Sequence, residues 1–337
     1  MLHRLDHLNK CELRETLGTV AVIIPSKNRI NYCVAQIRYY KRFNYGGVLV
    51  IVDSSSKSNY LKLEKEAKEL NYPNLRLFHD STLSTHEAIE FGLRQVKNEC
   101  VYYVFSGDDD FFVVNGIYKA AHFLDRNPDF IGVVGKGITT KHISLDNRIR
   151  VGWVRTYWNP RDIADDNALN RVRQISRRYI NLEFAVKRQS ACIDHQTQLN
   201  KVFGKVDFRD STDLEICSTL SISLTGKIKY LRTKFLVRGD HDARPNLLSK
   251  PATALSSVRK KNFVLYLDSV TKDIDKSLSR HSDYIVDYYF TTVGKKKAMK
   301  SGLIVKLLYL FVRVFRKFKG LFLKLRYRKY FNSFIES

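Results

Sequence analysis

Three runs in the first third of the chain constrain its fold more than anything else in the sequence: Val20 to Pro25 (VAVIIP), Val48 to Asp53 (VLVIVD) and Val101 to Phe105 (VYYVF). Each is apolar or aromatic along almost its whole length, so none suits a strand with one wet face. They read as central strands covered on both sides. Helical patterns lie between them at about 30–43, 59–70 and 85–96, with a further short strand expected at Leu75 to Phe78. Strand and helix in alternation mark βα units around a mostly parallel sheet flanked by helices, an α/β fold. With 44% of its 337 residues hydrophobic, the chain can fill cores for about two domains. Only 6 Pro and 16 Gly are present, which excludes collagen-like and low-complexity classes.

Further along, a helix is expected at Ile117 to Leu124 and a strand at Ile131 to Val134. Past Gly135 the pattern loosens, and residues 153–178 read as edge strands and loops. Helical spacing returns at Thr212 to Leu224, Ile228 to Val237 reads as paired strands, and about 255–292 reads as helical. The expected organisation is an extension at 1–18, one half at 19–135, a second half at 136–254, a helical segment at 255–294 and a tail at 295–337.

Charge singles out that tail. Thirteen Lys and Arg against the single acid Glu336 give residues 295–337 a charge of +12, half of the chain's +24. Leu303, Leu307, Phe311, Val314, Phe318, Leu321 and Leu325 recur there at helical spacing, with cations on the remainder. A basic amphipathic C-terminal helix lying on an anionic membrane surface is the expectation. The longest apolar run, Leu303 to Val312, is interrupted by Lys306 and is too short to span a bilayer. The first residues lack the continuous apolar stretch of a secretory signal. Five scattered cysteines without a CxxC pair suggest neither a disulfide framework nor a zinc ribbon. The expected location is therefore cytoplasmic, attached peripherally to the inner face of the membrane.

The chemistry concentrates at strand ends. Ser106-Gly107-Asp108-Asp109-Asp110 closes the third apolar run, and ligands of open α/β sheets bind at that edge. Adjacent carboxylates repel one another, and a hard divalent cation relieves the repulsion while bridging to phosphate oxygens. Alone, such a triplet also reads as a solvated acidic turn. Pro25-Ser26-Lys27-Asn28-Arg29 after the first run supplies hydroxyl, amide and cationic donors, and Asp53 closes the second. A carboxylate there accepts hydrogen bonds from a base or ribose, and a cation offsets phosphate charge. Together these features favour a nucleotide site. No GxGxxG or P-loop pattern is present, and Cys192 and His195, three apart, lack the turn a thiol nucleophile needs.

In these residues, VAVIIPSKNRINYC, VLVIVDSSS and YYVFSGDDDFF, the chain resembles the nucleotide-binding half of GT-A fold glycosyltransferases, nearest the large inverting family 2 type. The resemblance covers about residues 19–240. It implies a Rossmann-like sheet, a nucleotide-sugar donor held by Pro25, Ser26, Asn28, Arg29, Asp53 and Asp108, and Mn2+ or Mg2+ bound within Asp108, Asp109 and Asp110. Gly107 stands where the family commonly has aspartate, so which carboxylates touch the metal is open. The resemblance also implies a catalytic base near the start of a later helix that runs into Gly and a strand. Asp213 is the first choice, then Asp210, then Glu215, although Thr212-x-x-Glu215 is also a capping box. It further offers His241 as a metal or diphosphate ligand. Trp153, Tyr157 and Trp158 suit stacking on a sugar or packing under a loop. The implied acceptor is a hydroxyl of a glycan or lipid-linked glycan. The rivals are a basic nucleic-acid-binding protein, disfavoured by an acidic triplet that repels phosphates, and an inactive glycosyltransferase-like scaffold.

Overall fold

A computed structural model describes residues 20–145, 148–158, 161–177, 179–203, 211–240, 257–274, 278 and 280–299. The first half comprises β1 (Val20–Ser26), α1 (Ile30–Arg42), β2 (Val48–Asp53), α2 (Lys57–Leu70), β3 (Leu75–His79), α3 (Thr85–Gln95), β4 (Tyr102–Phe105), β5 (Phe111–Phe112) and α4 (Val114–Arg126). The second comprises β6 (Phe130–Leu145), β7 (Arg148–Trp158), α5 (Ala168–Arg177), β8 (Val186–Arg188), α6 (Gln189–Phe203), α7 (Ser211–Thr225) and β9 (Lys227–Asp240). Two helices follow, α8 (Ser257–Ile274) and α9 (Ser282–Met299).

One sheet carries all the strands in the order β3-β2-β1-β4-β8-β6-β9-β5, with β7 paired to β6. β1, β2, β3 and β4 are mutually parallel, as is the β6–β9 pair, while β8, β7 and β5 pair antiparallel to their neighbours. The central strands sort their side chains by alternation. Val20, Val22, Ile24, Leu49, Ile51, Tyr102 and Val104 face a core shared with α1, α2 and α4. Ala21, Ile23, Val48, Val50, Val52, Tyr103 and Phe105 face a second core with α3 and with Cys192 of α6. Burial on both faces is why these runs carry almost no polar residue before their ends.

Two expectations are corrected. The stretch 153–178 contains a helix, α5, because Arg171 on its inner side is buried and spends its guanidinium on the carbonyls of Ser223 and Leu224, both at 2.7 Å. Ile228 to Val237 belongs to one strand, β9, whose alternation is broken by register shifts against β6 at Val134/Lys136 and Lys136/Gly137. The segment after 255, expected to be helical, contains α8 and α9 among the described residues. Among the described residues no helix is long and apolar enough to cross a membrane. The extension 1–18 and residues 300–337 of the tail lie outside the described residues.

Gly116 lets α4 lie directly on β9. A Cβ there would press on the Lys234 carbonyl oxygen and come within 3.1 Å of Phe235 Cα. In an open helix Gly→Ala gains up to about 1 kcal/mol. Here Gly116→Ala should instead lose about 1–3 kcal/mol in urea denaturation through overpacking, and a gain would show that the helix can step away.

His86, in the first turn of α3, is buried against α6, where Gln196 and Asn200 donate to its carbonyl. Burial pushes its pKa from 6.5 down to about 4. The unfolded chain therefore takes up a proton below about pH 6.5 that the native state refuses until about pH 4. Stability should fall with pH across that window, by up to roughly 3 kcal/mol. His86→Gln should flatten this part of the curve of unfolding free energy against pH; an unchanged curve would assign the loss to other groups.

Candidate functional site

β1, β2 and β4 end at one edge of the sheet, and their backbones tie the three loops together. The register pairs Ser26 with Asp53 and Ile23 with Phe105. Ser54 N–H donates to the Ser26 carbonyl at 2.7 Å and Ser106 N–H to the Ile23 carbonyl at 3.0 Å. The strand ends that the sequence singled out are thus brought together.

Asp53 is buried, and its Oδ1 accepts from Ser55 Oγ at 2.7 Å. The same hydroxyl accepts from the Asn28 N–H at 2.6 Å, with Asn28 in the left-handed region at φ 57°. Asparagine tolerates that conformation better than most residues. Asn59 Nδ2 holds the Asn28 side chain at 3.1 Å. The His79 ring sits 3.0 Å from the Ser55 carbonyl and stacks on Tyr60 at 4.4 Å. Asp53 Oδ2 is buried with no hydrogen-bond partner. An unmet buried acceptor costs about 1–3 kcal/mol, so this oxygen is poised for a donor from outside the protein.

The acidic triplet is not a solvated turn: Asp108, Asp109 and Asp110 are only 5%, 3% and 2% exposed. Ser106 Oγ donates to the Asp110 carbonyl at 3.0 Å, and Gln36 of α1 donates to the carbonyls of Asp108 and Asp110. Asp108 Oδ2 accepts from Ser26 Oγ at 3.0 Å. The Arg29 guanidinium lies between Asp108, at 3.1 Å, and Asp109, at 3.6 Å, and is backed by the Tyr32 ring at 4.2 Å. Burial alone would lower the Arg29 pKa, but Asp108 and Asp109 outweigh it and hold it above its ordinary value. Asp110 Oδ1 accepts from the Gly239 N–H at 2.8 Å, and its Oδ2 lies 3.7 Å from Arg238 Nε.

Gly107 sits above this turn. A Cβ at 107 would come within 2.9 Å of Asp109 Oδ1 and 3.4 Å of Asp110 Oδ2, so glycine is what lets both carboxylates draw in toward this backbone. Among the described residues no group of three or more His, Cys, Asp or Glu side chains is arranged to hold a metal. Two hard carboxylate oxygens converging beside Gly107 fit a Mg2+- or Mn2+-type ion that takes its other ligands from phosphate and water.

α7 precedes β9, with Gly226 between them. Asp213, in the first turn of α7, is 4% exposed. Glu215 Oε1 accepts from Tyr179 Oη at 2.6 Å, and Tyr179 in turn packs on Tyr289 of α9. That places Glu215 in the helical packing. Asp210 and His241 lie outside the described residues, and the side chains of Trp153, Tyr157 and Trp158 are likewise not described. Burial pushes the Cys192 thiol up to about 11, the state of an inert core cysteine.

Several functional groups escaped the sequence reading. Gln36 and Ser55 hold the loops, and a polar residue among Cys33, Ile37 and Tyr40 was the available clue for Gln36. Glu183 gave no clue at all. It is half-buried beside Arg238 and Lys187, and burial pushes its pKa up against the pull of Lys187, Ser218, Asn181 and Arg238. Lys187 Nζ donates to the Glu183 carbonyl at 2.9 Å and lies 4.2 Å above the Phe105 ring. Arg238 spans from Asp110 to the Phe184 ring, 5.2 Å away.

No known family model matches the chain, and no curated protein matches it in sequence. Solved structures resemble it weakly. Residues 1–349 of TarS from S. aureus, in complex with UDP-GlcNAc, superpose with a TM-score of 0.49 at 14% identity, covering 86% of this chain and 77% of that one. The mannosyltransferase PcManGT from Pyrobaculum calidifontis, in complex with GDP-Man and Mn2+, gives a TM-score of 0.44 at 13% identity, covering 94% and 85%. A mycobacterial protein gives 0.42 at 14% identity, covering 78% and 79%.

Proposed function

We propose that the protein is a GT-A-type glycosyltransferase that moves a sugar from a nucleotide-diphosphate donor to a hydroxyl of a glycan or lipid-linked glycan. The observation that carries this reading is the unmet, buried Oδ2 of Asp53 on the same sheet edge as the buried acidic triplet. One end of that edge calls for a hydrogen-bond donor, which a ribose hydroxyl or base N–H provides. The other is built for charge, which a diphosphate brings.

In this reading Asp53 fixes the nucleoside, with Pro25, Ser26 and Asn28 forming the neighbouring wall. Arg29 takes up diphosphate charge by charge-assisted hydrogen bonds. Asp109 and Asp110, with Asp108 alongside, would hold Mn2+ or Mg2+. That ion would supply positive charge to the departing diphosphate. Asp213 accepts the proton of the acceptor hydroxyl as it attacks from the face opposite the nucleotide, which inverts the anomeric centre. Arg238 lies 3.7 Å from Asp110 Oδ2 and offers it a compensating charge. The basic segment 295–337 holds the enzyme on the anionic inner face of the membrane, where a lipid-linked acceptor resides.

Calorimetric titration of the full chain with UDP and GDP in Mn2+ tests the first part. Wild type should bind one of them, Asp53→Asn at least about tenfold more weakly, and Asp213→Asn within about twofold of wild type while losing transfer by about a hundredfold or more. Wild-type affinity in Asp53→Asn would remove the nucleoside site, and full transfer by Asp213→Asn would remove the base. For the membrane part, the full chain should co-sediment with phosphatidylglycerol-containing vesicles and a chain ending at residue 294 should not; equal sedimentation of both refutes the anchor.

A further inference from the structure

Strands β2 and β3 end side by side, and the register pairs their last residues, Asp53 and His79. Paired residues of parallel neighbours project from the same face about 4.8 Å apart, so carboxylate and imidazole stand together. One residue holds both. Ser55 Oγ donates to Asp53 Oδ1 at 2.7 Å, and the Ser55 carbonyl lies 3.0 Å from His79 Nε2. A carbonyl only accepts, so Nε2 carries the proton of that bond, and in the neutral ring Nδ1 is then an acceptor. Tyr60 sets the plane of the ring, stacked on it at 4.4 Å and 26°. Among the described residues neither Asp53 Oδ2 nor His79 Nδ1 has a hydrogen-bond partner.

The pair thus offers two acceptors and no donor, and that pattern sorts nucleobases. Uracil has a single donor, N3–H, between two carbonyls, so a carbonyl would face Nδ1. Adenine and cytosine would set a bare ring nitrogen against one of the two acceptors. Guanine carries adjacent donors, N1–H and the 2-amino group. A ribose diol also brings two donors, but Nδ1 accepts in the plane of its ring, which suits a flat base edge better than a puckered sugar. We propose that Asp53 and His79 together read guanine: Asp53 Oδ2 accepts from N1–H and His79 Nδ1 from the 2-amino group, so that the donor is a guanosine-diphosphate sugar. This rests on the reading of the sheet edge as a nucleotide site and goes beyond it by naming the base. Each acceptor left without its donor is a loss, which is how such a pair rejects the other bases.

The test is calorimetric titration of the full chain in Mn2+ with GDP, IDP and UDP at about pH 8, where an ordinary imidazole is neutral. IDP keeps N1–H and lacks only the 2-amino group. Wild type should bind GDP about tenfold or more tightly than IDP, and UDP more weakly than either. His79→Phe, which keeps a ring against Tyr60 but has no Nδ1, should bind GDP within about twofold of IDP. Equal affinity of wild type for GDP and IDP overturns the proposal and leaves a site for the ribose. Tighter binding of UDP than of GDP overturns it as well, and so does a preference for GDP over IDP that survives in His79→Phe. If His79→Phe does not fold, the wild-type comparison decides alone. Wild type that binds none of the three nucleotides defeats the nucleotide reading and the proposal with it, whereas binding without preference for guanine defeats only the proposal.

Discussion

Three consecutive carboxylates buried at the end of β4 set terms that distant parts of the chain must meet. Each needs hydrogen-bond donors or a cation, since the desolvation of an ion is only offset by close partners. Partners of the carboxylates include Ser26 at the end of β1, Arg29 just after it, and Arg238 with Gly239 at the far end of β9, while Gln36 of α1 and Ser106 hold the carbonyls of the same turn. β5 pairs Phe111 and Phe112 with Leu236 and Val237, which fixes Gly239 where its N–H can reach Asp110. The late strand β9 is thus positioned as much by charge at the turn as by its apolar contacts.

The sequence made the first half legible because its strands obey one rule. Burial on both faces forces unbroken apolar runs, and the polar residues that end them must then share an edge. Asp53 and the triplet were readable as strand-end acids for that reason. Their partners were not, because nothing local requires Ser55 to bridge Asn28 and Asp53, or Gln36 to reach across from α1. The depth of the triplet was also hidden: acids at a turn are usually wet, and the placement of Ser26, Arg29, Arg238 and Gly239 around these is not visible in the local sequence.

In the second half the rule fails in particular places. α5 (ALNRVRQISR) was obscured because the buried Arg171 breaks its apolar period, yet that arginine satisfies the last carbonyls of α7. α6 carries few large apolar residues and packs partly through amides, as Gln196 and Asn200 show at His86. β9 looked like two strands because a shift in register moves its inward residues to the other parity. Asp213 is a buried acid in the first turn of a helix that the spacing from Thr212 had marked out.

The three-residue strand β8 has a mechanical consequence. It stitches β4, through Tyr102 and Tyr103, to β6, through Gly132 and Val133, so the strands of the first and second halves belong to one hydrogen-bonded ladder. Prising them apart would strip buried backbone groups of their partners at about 1–3 kcal/mol each. The scaffold is therefore a continuous frame along this seam, and movement at the sheet edge is left to side chains and loops at its rim.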